Sequence, residues 1–518
     1  MTIATTASAG APDERFNGLP LPPYQDSAPC MSEPGTMHFL NVKNGDVAHH
    51  RFLIVHGCVA GAGGGDSGQV TVRHAAFPAV SFPAVDGYFK ALVHLDRGAN
   101  VLDFEYRQDG AAGSTGRLEV EMEPVPDKRP LRLAVMVARD SPEVFDAPLG
   151  ARGAGRNDLE AAVRRLRCAA YLWQAFIAEH MYRHGFGRRT FGLEEEVAAD
   201  SMGGDEQARM TARVHVVRSG RTVAEIQARE VAQQWRAPEG QRSRAGELVG
   251  IHREAVEQSG AFAAGDVVAC LTLDSRWDAG EGVLLGHGAW SSPHPNQSLA
   301  LFGSHTTHAW PASAAEVAER LLDATATDAA QLCDDCGECG EHWRAASVGM
   351  GAFLHMVLHA ARFYGGPTGI QRRGYGHFGR AFMAREPGRA GAVRQGDEGR
   401  AHLHRADAVA LRYNPRYALG TDARPARQTW PPPAVVPSDE GVVIRAEDGV
   451  VQVALRVGGT HRAHLDYTRD CPTDVALGRG RLRELLGDLA DGDSVTMAVF
   501  SRGHGMAVHH NIRELAML

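Results

Sequence analysis

Short apolar runs separated by turn residues fill the chain from Met37 to about Pro124. Two of these runs are Arg51-Phe-Leu-Ile-Val-His and Phe89-Lys-Ala-Leu-Val-His-Leu, and Gly, Asp and Pro separate each run from the next. Short strands at this spacing are typical of an antiparallel sandwich. We therefore predict a β-sandwich domain over residues 36–126.

The pattern changes at Leu131, where a continuously apolar strand precedes a long run with helical spacing. Asp158 is a good N-cap for that helix, which continues to Tyr182. A strand followed by a long helix begins an α/β domain. A buried strand from Val267 and a second long helix from Val348 to Phe363 continue the same domain.

The remaining patterns set the limits of the domains. Gly282-Val-Leu-Leu-Gly-His predicts an edge strand of the α/β domain, and the prolines between Pro425 and Pro437 indicate a linker. We predict an α+β multidomain chain with a disordered leader at 1–35, a β-sandwich at 36–126, an α/β domain at 127–390, a Pro-rich linker at 391–440 and a small β-rich module at 441–518.

Charge and composition exclude several classes of function. A net charge of −8 leaves no broad basic surface for phosphates, so we predict no nucleic-acid partner. We find no signal pattern after Met1 and no run of about 18 uncharged apolar residues, which favours a cytoplasmic protein without a membrane span. Eight cysteines in 518 residues do not form a disulfide framework. The dispersed ones are interpreted as small buried side chains: Cys30, Cys58, Cys168, Cys270 and Cys471.

A pair of histidines stands in the second long helix. His355 and His359 lie on one helix face, at the spacing that a zinc ion needs from two imidazoles. The spacing alone is a weak signal, because a chain with 25 histidines contains such pairs by chance. Whether the pair belongs to a metal site has to be judged from the surrounding sequence.

Several other segments, together with the histidine pair, point to a particular protein family. They are Gly87-Tyr-Phe-Lys-Ala-Leu-Val-His-Leu, Arg156-Asn-Asp-Leu, Gly185-Phe-Gly-Arg-Arg-Thr-Phe, Gly286-His, Phe302-Gly-Ser-His305, Glu338-Cys-Gly and Arg373-Gly-Tyr-Gly-His-Phe-Gly-Arg. In these segments the chain resembles a family of zinc metallopeptidases, best represented in fungi, which is metzincin-like in its catalytic motif. Some members carry a jacalin-like module at the C-terminus. The resemblance covers about residues 37–390, and it implies a metzincin-like metallopeptidase domain at 127–390.

The family motif departs from this sequence at most of its functional positions. The motif is HExxH, then a glycine, a third histidine six residues after the second, and a methionine in a turn. Laid on the sequence without gaps, it places the first two ligands on His355 and His359 and the general base on Met356. The glycine, third-ligand and turn positions are Arg362, Gly365 and Gln371.

These departures predict an inactive enzyme with no catalytic residue at the motif. A zinc-bound water needs a carboxylate to take its proton, and the thioether of Met356 cannot do so. Loss of a positioned base costs roughly 100-fold to 10,000-fold in rate, and loss of a third ligand weakens the metal. The charge of Arg362 further opposes a dication. We therefore predict that zinc binding is weakened or absent.

Other acids and histidines in family-like segments are candidate substitutes for the lost groups: Glu194, Glu195, Glu196, His305, His308 and His377. Each of them also fits an ordinary solvated or surface role. A rescued site would combine His355 and His359 with His305 or His377.

A second candidate metal set follows in the loop before the helix: Cys333, Cys336, Cys339 and His342. Cys-x-x-Cys spacing is typical of structural zinc sites, which normally take their second pair of ligands from a distant segment. Four ligands from one short stretch would be cramped. A partial zinc site and a loop of free thiols are both compatible with this segment.

Three functional hypotheses follow. The first is an inactive pseudopeptidase that binds a protein or peptide partner, and the second is an active zinc peptidase with substitute ligands. The third is carbohydrate binding through the β-rich modules, although residues 441–518 are short for a complete jacalin-like module.

Overall fold

The chain divides into two compact units. The computed structural model describes residues 33–518 except 63, 66, 109–112, 126–128, 154, 206, 362, 364–365, 398, 423–429 and 504. The larger unit ends at Arg424, and the smaller one runs from Pro425 to Leu518. Within the described ranges the architecture is mixed α/β, with several sheets and more strands than helices. Most of the predicted leader, residues 1–32, lies outside the described residues.

The first sheet belongs to the larger unit. Its strands are β1 Met37–Phe39, β2 Asp46–Ala48, β3 Phe52–Val59, β4 Gly68–His74, β5 Phe77–Val85, β6 Tyr88–His94, β7 Gly98–Arg107 and β8 Ser114–Met122. Their order is β1-β3-β6-β5-β4-β7-β8-β2. All neighbours are antiparallel except β2 and β8.

This sheet folds back on itself. Phe39 in β1 and Phe104 in β7 are well separated in the strand order, yet their ring centroids are 4.8 Å apart. A Cβ added to Gly116 in β8 would lie 2.7 Å from a side chain of β1, so the glycine permits the close approach. The ring of Phe52 in β3 lies 5.2 Å from that of Tyr171. The sheet therefore shares one apolar core with the segment that follows it.

The second part of the larger unit contains strands β9 Leu131–Val137, β10 Glu195–Ala199, β11 Ala208–Ala212, β12 Val214–Arg218, β13 Asp266–Thr272, β14 Arg276–Asp278, β15 Val283–Leu285, β16 Trp290–Ser292 and β17 Gln297–Gly303. Five of them form a sheet in the order β12-β9-β13-β17-β16. Neighbours are parallel except for β16, which is antiparallel to β17.

Of the two strands predicted for this sheet, one is confirmed and the other prediction is wrong. Central β13 is buried at every position, as predicted for the run from Val267. The run from Gly282 does not form the sheet edge: β15 pairs with β14 in a hairpin, and β16 is the edge strand instead. A short apolar run does not identify its pairing partner, which explains the error.

The described residues of the larger unit also form the α-helices α1 Leu159–Arg183, α2 Val223–Ile226, α3 Glu247–Ser259, α4 Glu316–Leu321, α5 His342–Ala360 and α6 Arg405–Arg412. The predicted N-cap is confirmed, since Oδ1 of Asp158 accepts a hydrogen bond from the amide of Ala161 at 2.9 Å. The indole Nε1 of Trp173 in α1 donates to the carbonyl of Met350 in α5 at 2.9 Å. Helices α1 and α5 are thereby fixed to each other.

Residues 391–422 differ from the predicted linker, because they pack within the larger unit. The Nε2 atom of His184, at the end of α1, lies 2.8 Å from the carbonyl of Leu403. Nη1 of Arg189 lies 2.6 Å from Oδ2 of Asp422. The prolines that indicated a linker begin only at Pro425, after this packed segment.

The smaller unit is a separate β-rich body. It contains β18 Ala434–Ser438, β19 Gly441–Arg445, β20 Val450–Val457, β21 Thr460–Asp466, β22 Asp474–Gly478, β23 Val495–Ser501, β24 Gly505–His509, α7 Arg479–Leu486 and α8 Ile512–Leu515. Its strands form two sheets, β18-β19-β22 and β21-β20-β23-β24. Its apolar core includes Val453, Leu482 and Val499.

Two further observations concern membrane-spanning helices and the state of the cysteines. In the part of the chain that the structure describes, no helix is long and apolar enough to cross a membrane. Cys58 is disulfide-bonded, whereas we interpreted it as a free buried thiol; its partner lies outside the described residues. Cys168 and Cys270 are free and buried, as predicted.

Candidate functional site

Helix α5 packs against β13, β17 and the edge strand β16. Two glycines let it approach its neighbours closely. A Cβ on Gly349 would lie 2.0 Å from Oγ1 of Thr306, and a Cβ on Gly351 would lie 2.6 Å from Cβ of Tyr375. The short 3-10 segments that contain Thr306 and Tyr375 therefore clamp the helix ahead of its histidines.

His355 and His359 lie on one face of α5, as the spacing predicts. Their ring centroids are 4.4 Å apart and the planes are inclined by 85°. Nδ1 of His355 lies 2.9 Å from the carbonyl oxygen of Ile370, so Nδ1 carries the proton and Nε2 keeps its lone pair. Burial, followed by the charge of His359, lowers the pKa of His355 to about 3. Burial also lowers the pKa of His359. Both rings are therefore neutral at neutral pH.

The surroundings of this pair are cationic or apolar. Met356, at the general-base position, is partly buried and packs against the core. Arg373 adopts a left-handed backbone with φ of 62°, and its Nε donates to Oη of Tyr375 at 2.8 Å. The charges of Arg373 and Arg372 contribute to the low pKa of His355. Positive charge at this position opposes a dication.

The family implies zinc at this helix, and a catalytic zinc takes three protein ligands. The described residues of α5 and its surroundings bring no third His, Cys, Asp or Glu ligand atom to the two imidazoles. The third-ligand position, Gly365, and the glycine position, Arg362, lie outside the described residues. Gln371 is buried, and its amide atoms have no hydrogen-bond partner among the described residues. The residues described here do not fit a three-ligand catalytic zinc.

The candidate substitutes lie elsewhere. Glu194, Glu195 and Glu196 form ion pairs with Arg132, Arg51 and Arg213. Nδ1 of His308 lies 3.1 Å from the carbonyl of His305. Burial, and then the charge of Arg380, lower the pKa of His377. None of these side chains forms a described ligand group with His355.

The cysteine loop is not assembled into the predicted four-ligand set. His342 is engaged by Asp323, with 3.0 Å between Nδ1 and Oδ2. Burial raises the pKa of Cys336 to about 11 and raises the pKa values of Cys333 and Cys339 further. Protonated thiols are poor metal ligands. In the described part of the chain no ligand group contains these cysteines.

A different set of candidate metal-ligand side chains does come together in the structure. One ligand atom from each of His287, His305 and Asp335 lies within 4.8 Å of the other two. His305 follows β17 directly, His287 precedes the edge strand β16, and Asp335 lies in the cysteine loop. From the sequence, His305 is a candidate ligand only as a partner of His355. The group of three was not predicted, because its residues are far apart in sequence and follow no motif spacing.

Residues 36–451 match a family model described as "Putative peptidase family". The chain is 30% identical over 463 residues to the Saccharomyces cerevisiae protein "Putative zinc metalloproteinase YIL108W", covering 85% of this chain and 64% of that protein. It is 33% identical over 399 residues to the Schizosaccharomyces pombe protein "Putative zinc metalloproteinase C607.06c", covering 74% of this chain and 60% of that protein. The chain thus spans less than two thirds of each relative. The predicted resemblance is confirmed.

Proposed function

Because the chain belongs to this peptidase family, we propose that it is a pseudopeptidase, which binds an extended peptide beside α5 and leaves it uncleaved. The observation that carries the proposal is the side chain at the base position. Met356 lies between the two metal-ligand positions, His355 and His359, on a helix whose buried residues pack in the core.

The edge strand supports peptide binding. Strand β16 pairs only with β17 among the described strands, in a register that joins Trp290 to Leu301 and Ser292 to Leu299. An extended peptide adds to such an edge through main-chain hydrogen bonds. Since α5 packs against β16, a peptide on this edge would run close to the helix. In the proposed complex its backbone gives affinity, and the side chains near α5 give selectivity.

The chemistry of α5 supports the absence of cleavage. Hydrolysis needs a group that takes the proton of the attacking water, and a thioether does not accept a proton at neutral pH. The neutral imidazole of His355 is held by a backbone carbonyl and not by a carboxylate. The proposed site therefore recognises a peptide by shape and polarity, without a catalytic metal.

The test uses the full chain and a library of fluorescently labelled peptides. We expect anisotropy to report binding of a subset of peptides, and mass spectrometry to recover them intact. Ser291→Lys puts a charge on the edge strand and should weaken binding at least about tenfold. Val216→Lys, on the opposite edge strand β12 where Val216 is 43% exposed, is the matched control and should leave binding unchanged.

Two results would overturn this proposal. One is peptide cleavage by the wild-type chain that a chelator stops and that His355→Ala abolishes. The other is the absence of binding to any peptide in the library. Met356→Glu sharpens the test, because a restored carboxylate alone should not give cleavage without a third ligand.

A further inference from the structure

We propose that His287, His305 and Asp335 form a divalent transition-metal site of the zinc type, separate from the histidine pair of α5. The three ligand atoms come from different parts of the chain and converge within 4.8 Å of one another. The site lies where β17 ends, at the carboxyl edge of the parallel strands. Ligand sites of open α/β sheets lie at this edge.

The distance between two of the groups fits a metal better than a hydrogen bond. Nε2 of His305 lies 3.3 Å from Oδ2 of Asp335. A charge-assisted hydrogen bond would bring such atoms to about 2.7–2.9 Å. Two ligands at about 2.0–2.1 Å from a tetrahedral zinc ion are instead about 3.3 Å apart. His305 and Asp335 thus already stand at the separation that a shared cation requires.

The buried polar atoms also lack other partners. The side chain of His305 has 0% exposure, and neither ring nitrogen makes a hydrogen bond with the described residues. Asp335 is 13% exposed, and no described lysine or arginine pairs with it. Its Oδ1 accepts a hydrogen bond from Nε2 of Gln234 at 2.7 Å. A buried carboxylate is costly without a compensating positive charge, which a cation would supply.

His287 completes the donor set. Its ring centroid lies 4.5 Å from that of His305. The amide of Gly303 donates to Nδ1 of His287 at 3.0 Å. With this hydrogen bond the proton of the neutral ring is on Nε2. Binding of a cation to Nε2 therefore requires the other neutral tautomer, with the proton on Nδ1, and breaks the hydrogen bond from Gly303. The loss of that bond opposes binding, whereas the fixed position of the ring favours it.

The donor chemistry selects the class of metal. Two imidazoles and one carboxylate suit zinc and related divalent transition metals, whereas calcium and magnesium prefer oxygen ligands alone. Three protein ligands leave a position open for water or another group. The neighbouring thiols of Cys333 and Cys336 are not needed for the set.

The experiment titrates chelator-treated full chain with Co²⁺, followed by visible absorption, and with Zn²⁺, followed by mass spectrometry of the metal content. We expect one equivalent of metal in the wild-type chain and in the His355→Ala, His359→Ala double variant. Asp335→Asn and His305→Asn should weaken binding at least about 100-fold. His308→Asn, in the same 3-10 segment but outside the donor set, is the matched control and should bind as the wild type does.

Several outcomes would overturn the site. No bound metal in the folded wild-type chain would show an imidazolium–carboxylate pair only. Binding that survives Asp335→Asn, or that is lost in the double variant of α5, would place the metal elsewhere. Binding lost in a Cys336→Ser variant, with a thiolate-to-cobalt absorption band in the wild type, would place it on the cysteine loop. Circular dichroism of each variant separates lost binding from lost folding. Because peptide binding is measured independently, either proposal can fail alone.

Discussion

The histidine pair of α5 and the group at the carboxyl edge of the sheet both hold two imidazoles, but their surroundings differ in charge. Near His355 the charged groups are Arg372 and Arg373. Near His305 the charged group is the carboxylate of Asp335, 3.3 Å away. The same side chain is therefore placed in a field that repels a cation in one region and attracts it in the other.

On the two proposals made above, a retained pair of ligand positions is not by itself a metal site. The α5 pair keeps the helical spacing and the orienting carbonyl of Ile370. A metal site also needs a complete donor set and a favourable charge. At α5 the glycine contacts that position the helix are present, whereas the described residues bring no third His, Cys, Asp or Glu ligand atom to the two imidazoles.

The largest expected effect comes from the ring that joins the two regions. Phe302 lies 5.3 Å from the ring of His305 and 5.5 Å from that of Phe353, two residues before His355. Phe302→Ala should lower the free energy of unfolding by about 3–5 kcal/mol, because it removes a buried aromatic side chain and leaves a cavity. Urea denaturation measures this. Phe302→Leu, which keeps more of the volume, should lose clearly less, and equal losses would contradict the cavity explanation.

A smaller effect is expected where α5 meets the 3-10 segment. Gly349→Ala would place a Cβ 2.0 Å from Oγ1 of Thr306 and 2.7 Å from Nε1 of Trp310. Such overpacking should cost about 1–3 kcal/mol of unfolding free energy. The matched control is Gly250→Ala in α3, where nothing lies within 4 Å of the added atom. The control should be neutral or stabilising by up to about 1 kcal/mol. Equal costs at the two sites would show that α5 is not clamped at Gly349.

The sequence supports predictions of elements whose pattern is local. The cap at Asp158 and the buried strand from Val267 both follow from neighbouring residues, and the structure confirms them. The second long helix also exists, although it begins at His342 and not at Val348. The N-cap residue, Glu341, makes no side-chain capping hydrogen bond, so no local cap signal marks the start of this helix.

Features that depend on tertiary contacts were not accessible in the same way. The edge strand Trp290–Ser292 is only three residues long, and its pairing with β17 cannot be read from so short a segment. The group of His287, His305 and Asp335 is assembled by the ends of different strands and a loop. At α5, by contrast, two ligand positions are one helical turn apart, so the sequence suffices to find them.

A buried histidine outside both regions is expected to make the stability of the chain depend on pH. Nδ1 of His252 lies 2.7 Å from the carbonyl of Leu248, and Nε2 lies 2.7 Å from Oγ1 of Thr272. Burial lowers its pKa to about 4. The unfolded chain, with a histidine pKa of about 6.5, therefore takes up this proton first as pH falls. Stability should decrease between about pH 6.5 and pH 4, by up to about 1.4 kcal/mol per pH unit for this residue.

Urea denaturation of the wild type and of His252→Asn, at pH 7 and pH 5.5, checks this effect. The variant should be less stable at pH 7, because the hydrogen bonds of the ring are lost, but its stability should depend less on pH. An unchanged pH dependence would mean that His252 does not contribute to the acid response.

The smallest effect is expected from the orienting hydrogen bond of α5. His355→Leu removes the donor to the carbonyl of Ile370, 2.9 Å from Nδ1, and should cost about 0.5–1.5 kcal/mol of unfolding free energy. Since the pair at α5 lacks a third described ligand, the metal content of the purified variant should equal that of the wild type. A loss of metal in His355→Leu would show that the α5 pair binds a cation despite its cationic surroundings. The contrast between the two histidine regions would then reduce to the number of donors, with no decisive role for the nearby charges.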